Sequence, residues 1–471
     1  MKSLTSTGKM SAISKLALSL MIGASVFSAH AQKTISLEQA IDLAQQNDPW
    51  LHGSKLKQSA VEHRSVASSS LPDPKVSISM MNLPTDSWDF DQEGMTQFKV
   101  GVSQMFPRGD SLAIKENQLK MEASKFPLLR ENRKAKLKTK VSELWLDAYQ
   151  AQQTIDLIES DWALFEQMAE VAKASYSNAI GKTRQQDVIR AQLEIIQLED
   201  RLTAQKQKLE STIARLNEWL HVYDSTNIDG AFDFDSQPTV FRVSSQIPTI
   251  KLDNPALLKS AKYSRNKLAL EFSNHPAILA IDVKRKVSEK GVELAKQQYK
   301  PQWGVNASYG YRDDMPSGDE RADLFSVGVS FDLPIFTENR QDKQVAASIA
   351  ESEAVKTEKL LLTKQMISAV EKELRQLNRL SERQLLYKNQ LLKQIHEQAE
   401  ASLTAYTNDD GDFSEVVRAR IAELNARVAA LKIDVETLKT VARINYFFAA
   451  TPSHINDDTL ENGSSTKFGD K

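Results

Sequence analysis

The segment FKVGVSQMFPRGD at 98–110 alternates apolar with small or polar residues up to a proline, then turns charged and helix-like. The same F-x-V-G-V-S core, proline and charged continuation return at 325–340 as FSVGVSFDLPIFTENR. Self-similarity over such a distance constrains the architecture more than any local propensity does. The matches extend outward in order. NDPWL (47–51), LPDPKVSISM (71–80), the first F-x-V-G-V-S segment, a very long helical stretch, YSNAIGKTRQQDVIRAQLEI (176–195) and LNEWL (216–220) make one series. NHPAI (274–278), YKPQWGVNASYGY (299–311), the second F-x-V-G-V-S segment, another long helix, SLTAYTNDDGDFSEVVRARIAEL (402–424) and INYFF (444–448) make the other. Each series reads helix, strand, strand, helix, helix.

The expected organisation is a signal peptide at 1–31, a first repeat at 32–223 and a connecting insertion at 224–272. A second repeat at 273–450 and a disordered polar tail at 451–471 complete it. Lys2, Lys9 and Lys15 precede the run LALSLMIGASVF at 16–27, and Ala29-His30-Ala31 supplies small residues at a cleavage site. The run is shorter than the roughly 20 apolar residues a membrane span requires. No later stretch is long and apolar enough to replace it, so export in a Gram-negative cell is the natural context.

Strands are expected at about 73–83, 96–106, 301–312 and 323–333, each with a period of two. Val76, Ile78 and Met80 alternate with Lys75, Ser77 and Ser79; Phe325, Val327, Val329 and Phe331 alternate with Ser326, Gly328, Ser330 and Asp332. Such alternation fits a transmembrane barrel, apolar outward and polar inward. It also fits a soluble antiparallel sheet with one wet face. Four strands cannot close a barrel alone, because the smallest outer-membrane barrels need about eight, so a barrel would require pooling strands between copies.

The helices carry a second period. From Val141, apolar or small residues fall at Leu144, Ala148, Ala151, Ile155, Ile158, Trp162, Phe165, Ala169, Ala172 and Tyr176, alternating steps of three and four. This is a coiled-coil seam, and the return helices repeat it. Pro72, Pro74, Pro107, Pro301 and Pro334 stand where helix meets strand, since proline continues neither. Sheet and helices are therefore expected end to end along one axis.

At this level the chain resembles the TolC-like outer-membrane efflux proteins over 37–448, with GKTRQQDVIRA at 181–191 as the turn motif. LPDPKVSISMMNLP and VGVSQMFPRGD look most like the heavy-metal branch that partners resistance-nodulation-division pumps. The resemblance implies a mainly α fold with a small β part. It implies a homotrimer whose pooled strands form an outer-membrane barrel and whose helices form a periplasmic tunnel, working with a periplasmic adaptor and an inner-membrane pump. Relatives often carry a lipid on an N-terminal cysteine; this chain has no cysteine, so attachment must rest on the barrel in outer-membrane lipid.

Candidate aperture residues are Asp187, Asp409, Asp410, Asp412 and Glu415. Copied around an axis, such carboxylates select cations; Asn408-Asp409-Asp410-Gly411 is equally ordinary turn chemistry. Arg184, Arg418 and Arg420 are candidate latches, and Gly181, Lys182, Thr183, Asn408 and Gly411 candidate adaptor contacts. In the second repeat TNDDGDFSEVVRA replaces the family's turn glycine and D-V, placing Glu415 opposite Asp187. Met80, Met81, Met95, Met105 and Met315 cluster near the hairpins and read either as thioether ligands or as packing residues. No catalytic or cofactor motif is present, and the net charge of -2 without a basic stripe argues against nucleic acid. The expected function is an exit duct for metal cations, with drugs a further cargo. A protein-secretion duct and a non-conducting coiled-coil surface protein are the alternatives.

Overall fold

The computed structural model describes residues 33–177, 185–221, 241–256, 264–408 and 411–450. The first repeat runs β1 (Lys33–Ile35), α1 (Leu37–Gln46), α2 (Pro49–Ser68), β2 (Lys75–Met81), β3 (Gln97–Phe106), α3 (Ser111–Ser177) and α4 (Gln185–Leu220). After β4 (Phe241–Val243), the second runs α5 (Arg265–Phe272), α6 (Pro276–Lys296), β5 (Trp303–Tyr311), β6 (Leu324–Phe331), α7 (Gln341–Leu386), α8 (Leu392–Thr407) and α9 (Phe413–Phe447). A π-helical turn, Tyr387–Leu391, joins α7 to α8. The chain is mainly helical with a small sheet. At 67 residues, α3 is about 100 Å long, and the helix is continuous through Pro127.

The helices begin at matched signals in the two repeats. Asp48 caps α2, accepting the Trp50 N–H at 3.1 Å, with Pro49 in the first turn. Its other oxygen accepts from Arg133 Nε of α3 at 2.8 Å, tying the two helices together. His275 stands at the equivalent place before Pro276: its Nδ1 accepts the Ala277 N–H at 3.2 Å and its Nε2 meets the Tyr446 carbonyl at 3.0 Å. Nδ1 must be unprotonated to accept, so Nε2 carries the proton and donates.

His275 is 1 % exposed, and burial pushes its pKa down from 6.5 to about 4, assisted by nearby Lys136 and opposed by the Tyr446 carbonyl. The native state therefore holds the neutral ring. This stability is fully present above the unfolded pKa of about 6.5 and is lost as pH falls from there towards 4, on the order of 3 kcal/mol in all. His275→Asn retains a capping side chain without the titration. Urea unfolding between pH 7 and pH 4.5 should show a shallower loss for the variant than for the wild type; equal losses would remove His275 as the cause.

Packing is serial along the helical axis. Near the sheet, Leu128 of α3 packs on Ala280 and Val283 of α6. Two cores lie at the girth. One joins β1, α1, α3, α4 and β4 around Trp145, and the other joins α5, α6, α7 and α9 around Phe272 and Ile444. β1 pairs β4 in parallel, Ile35 opposite Val243. Farther out, Ile158, Phe165, Leu198 and Leu424 join α3, α4 and α9. Of the seam residues on α3, Leu144, Ala148, Ala151, Ile155, Ile158, Phe165 and Ala172 are buried, whereas Tyr176 is exposed.

Strands β2-β3-β5-β6 form one antiparallel sheet in that order, so β3 pairs β5 across the repeat boundary. The register sets Ile78 opposite Val100, Val100 opposite Tyr309, and Tyr309 opposite Phe325. Because side chains alternate, one face is a continuous apolar field and the other is lined by Ser77, Gly101, Ser308 and Ser326.

Candidate functional site

Three places follow from this architecture: the apolar sheet face, the junction where strands give way to helices, and the far helical tip. The apolar face is uncovered. Phe325 is 71 % exposed, Val327 65 %, and Val76, Ile78, Val102, Tyr309, Val329 and Phe331 are exposed as well. A contiguous field of this kind marks a contact with lipid or another chain. β2 and β6 are its two edges, each presenting an unpaired row of backbone groups.

At the junction, FPRGD of the first repeat locks onto the second. Arg108 donates to the Lys300 carbonyl at 2.7 Å and pairs with Asp332, whose other oxygen accepts the Gln302 N–H at 2.7 Å. Lys300 Nζ returns to Asp110 at 2.9 Å. Gly109 has φ +48, and a Cβ there would lie 2.2 Å from the Lys300 side chain. The turn thus favours glycine for its conformation. Sequence reasoning missed this clamp, although the signal was present as an arginine just after Pro107 and an aspartate two residues before Pro334.

At the opposite end from the sheet, the tips of both repeats share one cluster. Met168 and Ala172 of α3 and Ala191 of α4 pack with Phe413, Val416 and Val417 of α9. Across the second-repeat turn, Tyr406 and Phe413 meet edge to face at 5.5 Å. A Cβ on Gly411 would come 2.7 Å from the Tyr406 nitrogen, so the backbone approach there requires glycine. Asp412 caps α9, accepting the Ser414 N–H at 3.0 Å, and is exposed. Glu415, in the first turn of α9, is exposed too. Asp187, in the first turn of α4, is only 5 % exposed. Repeat-equivalent acids thus differ in environment.

Asn408 is exposed at the end of α8. Arg418 is exposed on α9, whereas Arg420 pairs with Glu400 at 2.7 Å and Glu423 at 2.9 Å, outside the proposed acid set. His396 completes the group, 2.7 Å from Glu423. Burial pushes the Glu423 carboxyl up, but the His396 and Arg420 hydrogen bonds outweigh it and hold it below the usual range. Gly181, Lys182, Thr183, Arg184, Asp409 and Asp410 lie outside the described residues.

Among the described residues, no His, Cys, Asp and Glu group could hold a metal, and no helix is long and apolar enough to cross a membrane. The hairpin methionines do not converge. Met80 lies on the apolar face opposite Phe98, while the Met105 sulfur lies on the other face, against the backbone of Gly304.

The fold is similar to that of solved outer-membrane channels. The CmeC outer membrane channel of Campylobacter jejuni superposes with a TM-score of 0.68 at 12% identity, covering 92% of this chain and 90% of its own. The open-state MtrE outer membrane channel of Neisseria gonorrhoeae gives 0.65 at 14% identity, over 88% and 89%. The outer membrane protein VceC of Vibrio cholerae gives 0.66 at 12% identity, over 88% and 96%. No protein-family model and no curated protein matches the chain.

Proposed function

We propose that three copies of the chain assemble into the outer-membrane exit duct of a tripartite efflux pump in a Gram-negative bacterium. The observation that carries this is the bare apolar face of a sheet with two open edges. In hydrocarbon an unpaired edge is untenable, so the edges must meet those of other copies. Three copies would pool twelve strands, within the range of about 8 to 26 seen in outer-membrane barrels. The threefold number rests on the resemblance stated above. The helices would then surround a periplasmic tunnel whose far tip contacts an adaptor and, through it, a resistance-nodulation-division pump. No lipid anchor is needed, because the barrel itself holds the membrane.

Cargo is proposed to be cationic, heavy-metal ions first. The loops at the outer end of the sheet support this: segment 82–96 carries Asp86, Asp89, Asp91 and Glu93, and segment 312–323 carries five acids against Arg312 and Arg321. Asp187, Asp409, Asp410, Asp412 and Glu415 are the proposed aperture, with Arg184 and Arg418 as its latch; Arg420 is held instead by Glu400 and Glu423. Gly181, Lys182, Thr183, Asn408 and Gly411 form the adaptor contact. Acids gathered on an axis repel within the roughly 10 Å screening length of 0.1 M salt, and bound cations relieve the repulsion.

Planar-bilayer recording tests the reading. The purified protein should conduct with a preference for cations. Replacing Asp409 and Asp410 by Asn and Asp412 by Ser should lower that preference and weaken block by divalent cations. A non-conducting protein would sink the duct; unchanged selectivity would leave these aspartates as turn and cap residues.

A further inference from the structure

We propose that Leu333, Ile335 and Phe336 form an apolar wedge seated in the acyl chains of the periplasmic leaflet, a membrane contact outside the strands. This rests on the barrel reading above.

The two repeats differ sharply here. Aligned on the F-x-V-G-V-S core, Phe106 corresponds to Leu333, Pro107 to Pro334, and the Arg108-Gly109 pair to Ile335-Phe336. In the first repeat Phe106 ends the apolar face of β3 opposite Trp303, and Arg108 turns back into the clamp with Asp332. The second repeat has the same approach and no clamp. Its Leu333 is 66 % exposed, Ile335 68 % and Phe336 86 %, although the polar turn Thr337, Glu338, Asn339 and Arg340 follows at once, ahead of α7. A turn holds the segment, with the Ile335 N–H donating to the Leu333 carbonyl at 2.9 Å and the Arg340 N–H to the Thr337 carbonyl at 3.1 Å.

Two observations select lipid as the occupant. The first is position: Phe325, Val327, Val329 and Phe331 occupy every second position of the outward face, Leu333 is next in that count, and Ile335 and Phe336 follow it directly across the Pro334 turn. The wedge is thus continuous with the face assigned to lipid. The second is length. β6 has eight residues against ten in β3. At about 3.3 Å per residue and a tilt of about 40°, eight residues span about 20 Å along the membrane normal, short of an apolar band of about 25 Å. Leu333 and Ile335 supply the missing depth. The charged residues that follow, and the Lys300–Asp110 pair at the same strand-to-helix junction, mark the level at which water resumes.

The chain has no cysteine, so one introduced thiol carries a nitroxide at a single known place. The labelled full chain would be placed in vesicles of phosphatidylethanolamine and phosphatidylglycerol. Its collisions with oxygen, which concentrates in acyl chains, would be compared with those of a water-confined nickel chelate. Val327→Cys reports the centre of the band, and Phe336→Cys and Ile335→Cys report the wedge. The expected result is oxygen in excess of chelate at all three positions, with a smaller excess at 335 and 336 than at 327. Free access of the chelate to 335 and 336 while 327 remains in lipid would overturn the wedge and leave the barrel standing. Shielding of 335 and 336 from both agents would mean that a neighbouring copy covers them, which also overturns it. Chelate access at 327 would remove the barrel reading, and the wedge with it.

Discussion

Val327→Arg should abolish recovery of the protein as an outer-membrane oligomer. Val327 lies mid-strand on β6, 65 % exposed in one chain, opposite Ala307. Were that face wet, an added charge would change stability by about 0.5 kcal/mol or less. In a barrel it would face the hydrocarbon midplane, where arginine costs about 2–4 kcal/mol per copy. Each 1.4 kcal/mol is a factor of ten, so one substitution is worth roughly 30- to 700-fold in insertion, and every copy in the assembly carries it. Ser326→Asp, one residue away on the polar face, should assemble normally. Membrane fractionation with mass measurement in detergent reads both variants. A fully assembled Val327→Arg protein would mean that the apolar face meets neither lipid nor a lipid-like surface.

The sheet was legible in the sequence because a strand with one apolar face must write a period of two into its residues. Val76 to Met80 and Phe325 to Phe331 do so without interruption. The helical seam was legible for the same reason at a period near 3.5, as the burial of Leu144 through Ala172 reflects. Pairing across the repeats was not, since periodicity within a strand does not say which strand lies beside it; β3 against β5 is settled by the Arg108 clamp and the register. At the tip, the sequence located acids but not their environments. Asp187 and Glu415 occupy matching first-turn positions, yet one is buried and the other exposed. The difference is one of tertiary packing, which leaves no local signature in the sequence. His275 was hidden similarly: its depressed pKa comes from burial beneath Tyr446, some 170 residues away in sequence.

Trp145 is where a single truncation should cost most in the helical part. Its side chain is 1 % exposed, stacks on Tyr149 at 5.7 Å between ring centroids, and packs in the cluster containing Ile35, Leu216, Phe241 and Val243. The indole N–H donates to the Ile35 carbonyl at 3.1 Å, so the residue both fills the girth core and fastens β1 to α3. Trp145→Ala removes the ring and leaves a cavity that long, mutually braced helices cannot easily collapse, a loss of about 3–5 kcal/mol. Trp145→Phe separates volume from hydrogen bonding. It keeps most of the apolar contact and loses the donor, but the Ile35 carbonyl still accepts the Ser244 N–H at 3.1 Å and is not orphaned. The cost should then be about 1 kcal/mol, near that of one ordinary hydrogen bond. Urea unfolding of both variants reads the difference. If Phe proves as damaging as Ala, the girth is held by the indole N–H rather than by ring volume, and the pairing of β1 with β4 becomes the weak point of the belt.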